Sequence, residues 1–201
     1  MSQAPATAHA EEHHTSTGLS HNKILMWAFL ASDCMFFGSL IMTYMIYRNR
    51  SVTGPYPRDV LNIPYTSVSA AVLLLSSLMM VLALSAIQRG KMREYQVWQI
   101  ATAALGLLFL GGQFYEFSSF YQLHGLSLSS NLFGSTFFVL TGFHGTHVGI
   151  GVIWLLSLVI MSFRGKLTPE MAEKVEIAGL YWHFVDIVWI IIFTVVYLIP
   201  Y

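Results

Sequence analysis

Charge is scarce in this sequence. Of 201 residues only 10% are Asp, Glu, Lys or Arg, the ten basic and ten acidic side chains cancel, and 55% of the chain is hydrophobic. Soluble domains carry about a quarter charged residues, so an ordinary water-exposed fold is excluded. The even balance gives no clustered basic face and hence no nucleic-acid partner. Cysteine is nearly absent: Cys34 alone rules out an intrachain disulfide and a thiolate metal site built by this chain, and it reads as a small apolar packing residue. The first 20 residues lack the basic-then-apolar order of a secretory signal, since the first basic residue other than His is Lys23.

What is present is a series of apolar runs, each long enough for the roughly 20 residues that cross a bilayer. These predict an all-α, polytopic membrane protein: a bundle of five transmembrane helices over about 24–47, 65–87, 97–120, 133–163 and 177–199. Residues 24–201 form one domain, preceded by a mobile polar tail over 1–23. His9, His13, His14 and His21 in that tail read as solvated rather than metal-binding. Arg48 to Pro57 and Arg89 to Lys91 carry the stop and turn residues that separate the first three helices.

Orientation follows from the basic residues near helix ends. Lys23, Arg89, Lys91, Arg93, Arg164, Lys166 and Lys174 share the side of the N-terminus, against Arg48, Arg50 and Arg58 on the other. The positive-inside rule therefore predicts a cytoplasmic N-terminus and an external Tyr201. Tyr47, Tyr65, Trp98, Tyr121, Tyr197 and Tyr201 fall near helix ends, as an aromatic belt would.

Ionisable groups within the spans are costly and need partners. At 1.5 Å per residue, Asp33 and Asp186 lie about 14 Å into the first and fifth helices from one side, while His144 and His147 lie roughly 16 and 21 Å down the fourth from the other. One shared polar layer is expected, with the histidines as partners of the acids. His183 stands three residues before Asp186 and so on the same face, and Glu116 sits about a turn from the outer end of the third helix. Gly142, Gly145, Gly149 and Gly151 read as helix-packing devices that put residues 133–154 at the bundle centre. The histidines and acids supply too few ligands for an oxygen-activating metal centre, so no metal or catalytic residue is assigned.

Three stretches carry a resemblance: FGSTFFVLTGFHGTHVGIG at Phe133 to Gly151, YWHFVDIVWIIIFTVVY at Tyr181 to Tyr197, and FLASDCMFF at Phe29 to Phe37, with a looser match in GGQFYEF at Gly111 to Phe117. They resemble subunit III of the haem-copper terminal oxidases, in the short five-helix bacterial form. The resemblance implies an accessory, non-redox subunit of a proton-pumping oxygen reductase in aerobic electron transport, an enzyme only as part of the complex. It implies haem and copper in partner subunits and none in this chain, contact with catalytic subunit I, with subunit II and with a subunit IV, bound phospholipid, and a bacterial cytoplasmic membrane. It also implies that Asp33 occupies the position of an intramembrane carboxylate, often Glu in the family, that reacts with carbodiimide and is linked to sustained proton uptake. Cytochrome c and quinol remain equal candidates for electron donor.

Two other readings stay open at this point. An independent proton-coupled transporter could use Asp33 and Asp186 as relay acids, but would call for broken helices or internal repeats. A subunit of a nitric oxide reductase system would differ in its catalytic partner.

Overall fold

The computed structural model describes residues 18, 20–48, 50, 51 and 54–199. Positions 1–17, and with them His9, His13 and His14, lie outside the described residues, as does Tyr201. The chain folds into α1 (His21–Tyr47), a short α2 (Pro57–Val60), α3 (Ile63–Gln88), α4 (Met92–His124), α5 (Leu132–Phe163) and α6 (Ala172–Phe193). A 3-10 turn over Pro169–Met171 leads into α6, and a wider π turn over Thr194–Leu198 ends it. Five of these segments are long and apolar enough to span a membrane: α1, α3, α4, α5 and the stretch Pro169–Leu198.

Local chemistry sets the boundaries. Ser20 Oγ, Asn62 Oδ1 and Asn131 Oδ1 each accept a backbone N–H three residues on, capping α1, α3 and α5, and Pro64 fits the first turn of α3 because it has no N–H to leave unpaired. Gly125 closes α4 at φ 63°, where its own amide and that of Leu126 bond back to Tyr121 O and Phe120 O.

The observed helices outrun the expected ones where polar residues continue them. The N-terminal boundary expected at residue 23 moves to His21, and Lys23 is already structured, pairing with Glu176 at 2.9 Å while Ser20 donates to Glu173. These two contacts tie the start of α1 to the start of α6. α4 extends to Met92 and to His124, since Arg93 and Glu94 are helical beyond the apolar run. The short α2 lies where only turn residues were expected.

α3, α4, α5 and α6 pack in a closed ring, each against the next, and α1 lies outside it in the groove between α5 and α6. Only Leu30, Asp33, Phe37 and Tyr44 of α1 are buried, a single seam at i, i+3, i+7 and i+14. Cys34, expected to pack inside, sits beside that seam on the exposed face.

At the ring's centre is Trp182 of α6. Its indole N–H donates to Ser76 Oγ of α3 at 3.0 Å, and its ring fills the space left by Gly106 of α4 and Gly151 of α5. A Cβ on Gly106 would stand 2.6 Å from Trp182 Cη2 and 2.9 Å from Val152 Cγ2. Neither neighbour can rotate away without disturbing a core where Trp182 is 1% exposed. Gly106→Ala should therefore destabilise the protein by about 1–3 kcal/mol through overpacking. Gly111→Ala, with nothing within 4 Å of the new methyl, should be neutral or slightly stabilising. Thermal denaturation of the two variants in detergent checks the contrast.

Candidate functional site: buried polar groups in the bundle

Asp33 and His147 meet as expected. Asp33 Oδ2 lies 3.6 Å from His147 Nε2, an ion-pair distance too long for a hydrogen bond. His147 Nδ1 lies 2.8 Å from Phe143 O, and because a carbonyl only accepts, Nδ1 carries the hydrogen. Nε2 therefore faces the acid either bare or protonated. The contact is favourable with one proton held between the two side chains, as acid and neutral imidazole or as carboxylate and imidazolium. With no proton it sets a lone pair against a carboxylate.

Phe36 and Phe37 wall the imidazole, with ring centroids 6.3 and 5.0 Å away, and Tyr181 OH donates to His147 O at 3.0 Å. The pair thus sits where α1 docks on α5 and α6. Its side chains keep a narrow opening, 16% exposed for His147 and 12% for Asp33. Ser32 does not serve Asp33, since its hydroxyl donates to Phe29 O of its own helix.

The expected polar groups do not all converge on one another. Asp186 lies on the side of α6 that faces α3, beside Ser77, whose hydroxyl is 2.6 Å from His183 Nδ1. His183 and Asp186 share a face as their spacing predicts, but their partner is a serine rather than a histidine. His144 is fully buried, and no described residue hydrogen-bonds to either ring nitrogen. It stacks on Trp189 at 5.0 Å and meets the edges of Phe109 and Phe37 at 6.0 and 6.4 Å.

Glu116 belongs to a separate group toward the C-terminal end of α4. Its Oε1 accepts from Thr66 Oγ1 at 2.8 Å and from Tyr197 OH at 3.2 Å. Tyr197 is therefore a buried donor and not a belt residue, whereas Tyr47 and Tyr121 are exposed as a belt requires. Tyr197 is placed by the terminal turn of the last span, which no periodicity in the sequence announces.

Sequence reasoning also missed Ser77, Thr66, Tyr181 and Gln113 as partners. Gln113 Nε2 donates to Thr141 O at 3.0 Å, and the amide lies over Gly145, where a Cβ would stand 2.8 Å from Oε1.

The four α5 glycines expected to pack, Gly142, Gly145, Gly149 and Gly151, divide. Gly145 and Gly151 admit Gln113 and Trp182. Gly142 and Gly149 have nothing within 4 Å of a Cβ and do not pack against the described residues. Among the described residues no three His, Cys, Asp or Glu side chains are grouped to hold a metal ion.

An apolar groove of about 430 Å³ opens between α3 and α4, with Tyr65, Ser69, Leu108 and Gly112 on its walls. Within its lining Tyr65 OH donates to Gly112 O at 3.2 Å.

Gly151→Leu should cost several kcal/mol, because the side chain must displace Trp182, and should reduce the folded yield. Gly149→Leu should leave the chain's own stability within about 0.5 kcal/mol. Parallel expression with size-exclusion profiles distinguishes the two.

The comparisons with known proteins agree with one another. The family described as Cytochrome c oxidase subunit III matches residues 5–201. The chain is 37% identical over 187 residues to quinol oxidase subunit 3 of Bacillus subtilis (strain 168), covering 93% of this chain and 91% of that one. It is 38% identical over 178 residues to cytochrome c oxidase subunit 3 of Bacillus sp. (strain PS3), covering 88% and 86%. It is 34% identical over 198 residues to cytochrome bo(3) ubiquinol oxidase subunit 3 of Pseudomonas aeruginosa, covering 98% and 94%. With a match along nearly its whole length and relatives above 30% identity, the chain belongs to the cytochrome c oxidase subunit III family.

Proposed function

We propose that this chain is the accessory, non-redox third subunit of a proton-pumping haem-copper oxygen reductase, stabilising the catalytic subunit and sustaining its proton uptake. The observation that carries the reading is family membership over residues 5–201. The dispersal of His144, His147, His183, Asp33, Asp186 and Glu116 supports it, because haem or copper ligation needs several histidines converging on one point. On this reading haem and copper belong to subunits I and II. The enzyme is the assembled complex, with subunit I the main contact and a subunit IV a further one.

The membrane is a bacterial cytoplasmic membrane, with the N-terminus on the cytoplasmic side where seven basic residues flank the spans. The groove between α3 and α4 suits a phospholipid acyl chain, being apolar and open on the outside of the bundle.

Asp33 is the residue we assign to proton handling. It is the one acid of α1's buried seam, it faces Nε2 of a histidine whose Nδ1 is committed to Phe143 O, and it retains a narrow opening. Glu116 is held by two hydroxyls and Asp186 lies beside Ser77 on the α3 side, and we read both as packing groups.

Affinity purification of the tagged chain from its native membrane should bring down an oxygen-consuming complex with a haem spectrum. Recovery of the chain without any oxidase subunit overturns the proposal. Asp33→Asn should assemble normally but lose activity faster during sustained turnover, or pump fewer protons per electron. Unchanged pumping and an unchanged lifetime of activity in that variant would reduce Asp33 to a structural acid.

A further inference from the structure

The inner face of α4 carries two polar side chains that none of the other described residues satisfies. Tyr95 and Gln99, one helical turn apart, are both fully buried at 0% exposure. The Tyr95 hydroxyl and both amide atoms of Gln99 have no hydrogen-bond partner among the described residues. Their neighbour Gln96 does find one, donating from Nε2 to Ser162 Oγ of α5 at 2.9 Å. The pair therefore stands out in a region where polar contacts between helices are otherwise made.

Because these atoms are buried within this chain alone, neither a partner subunit nor a lipid headgroup can reach them without opening the bundle. A ligand for them must be small. It must also donate to the Gln99 carbonyl, accept from the Gln99 amide and serve the phenol in either sense. A cation fails the second requirement and an anion the first. Water meets all three.

The position suits water as well. Tyr95 lies about 4.5 Å and Gln99 about 10 Å from the start of α4 along its axis. The first turn there carries Arg93 and Glu94, the latter in an exposed pair with Lys91 at 2.7 Å, so the aqueous boundary is near. Deeper along the same face come Thr102, whose hydroxyl returns to Trp98 O of its own helix, and then Gly106, filled by Trp182. The polar face is thus closed toward the membrane centre.

We infer that Tyr95 and Gln99 form an internal water-binding site at the end of the bundle where α4 begins, sealed from the membrane centre by Trp182. Bound water there completes the hydrogen bonding of α4 against its neighbours and does not cross the bundle.

The test uses the intact complex containing the full-length chain. Brief X-ray radiolysis generates hydroxyl radicals from water wherever it resides, and mass spectrometry reads the modified side chains. Tyr95 should be oxidised despite its burial, alongside exposed Tyr121, and the label at Tyr95 should fall several-fold in Gln99→Met, which keeps the length of the side chain and removes its polar atoms. Heating the same variant should release the subunit a few degrees below the parent, because water loses a partner and Tyr95 is left alone. An unlabelled Tyr95 in the parent complex would overturn the inference. So would a rise in the release temperature of Gln99→Met, the result expected if the amide is simply unpaired and its removal a relief.

Discussion

The insertion of Trp182 between Gly106 and Gly151 is the contact on which the bundle depends. One indole from α6 touches α4 and α5 through the absence of two side chains and α3 through its single N–H. In a bilayer no hydrophobic effect drives helix against helix, so close van der Waals packing and interhelical hydrogen bonds must do that work. A bulky ring set against two glycines supplies the first, and Ser76 the second. Ser76 returns its own hydrogen to Leu73 O at 2.6 Å, which leaves its lone pairs for Trp182.

That central contact explains why the polar groups lie apart. With Trp182 filling the middle of the ring, histidines and acids cannot converge there and are distributed around it. Asp33 and His147 take the seam where α1 docks, His183 and Asp186 the α3 side, and Glu116 the C-terminal end of α4. Each group is small: Glu116 is held by two hydroxyls, Asp33 Oδ2 and Asp186 Oδ1 accept no hydrogen bond from the described residues, and the ring of His144 is held by aromatic faces and edges alone. Such an arrangement favours a packing subunit with one proton-bearing pair at its rim over a chain of relay groups. The first four spans are also continuous α-helices, without the breaks that place substrate sites in transporters.

Much of the fold was legible in the sequence. The number of spans followed from apolar runs bounded by charges, turn residues and caps, and boundaries moved only where polar residues such as Arg93 and Glu94 prolong a helix past its apolar part. The Asp33–His147 contact was legible as a coincidence of depth. The same arithmetic misled for Asp186, which has the right depth and the wrong side of its helix. It misled for His144 as well, one turn from His147 and directed into an aromatic cage. Glycine spacing suggested four packing positions on α5, yet Gly142 and Gly149 face away from the neighbours that Gly145 and Gly151 admit.

The division has a physical cause. A helix fixes the rise per residue, so the sequence by itself determined how many times the chain spans the membrane, which residues lie at mid-depth, and which pairs share a face. The rotation of each helix about its own axis is set by what it packs against. Only the tertiary structure decided that α1 turns Asp33 inward and Cys34 outward, that α6 turns Tyr181 toward α5 and Asp186 toward α3, and that Gln99 faces a core with no partner for it.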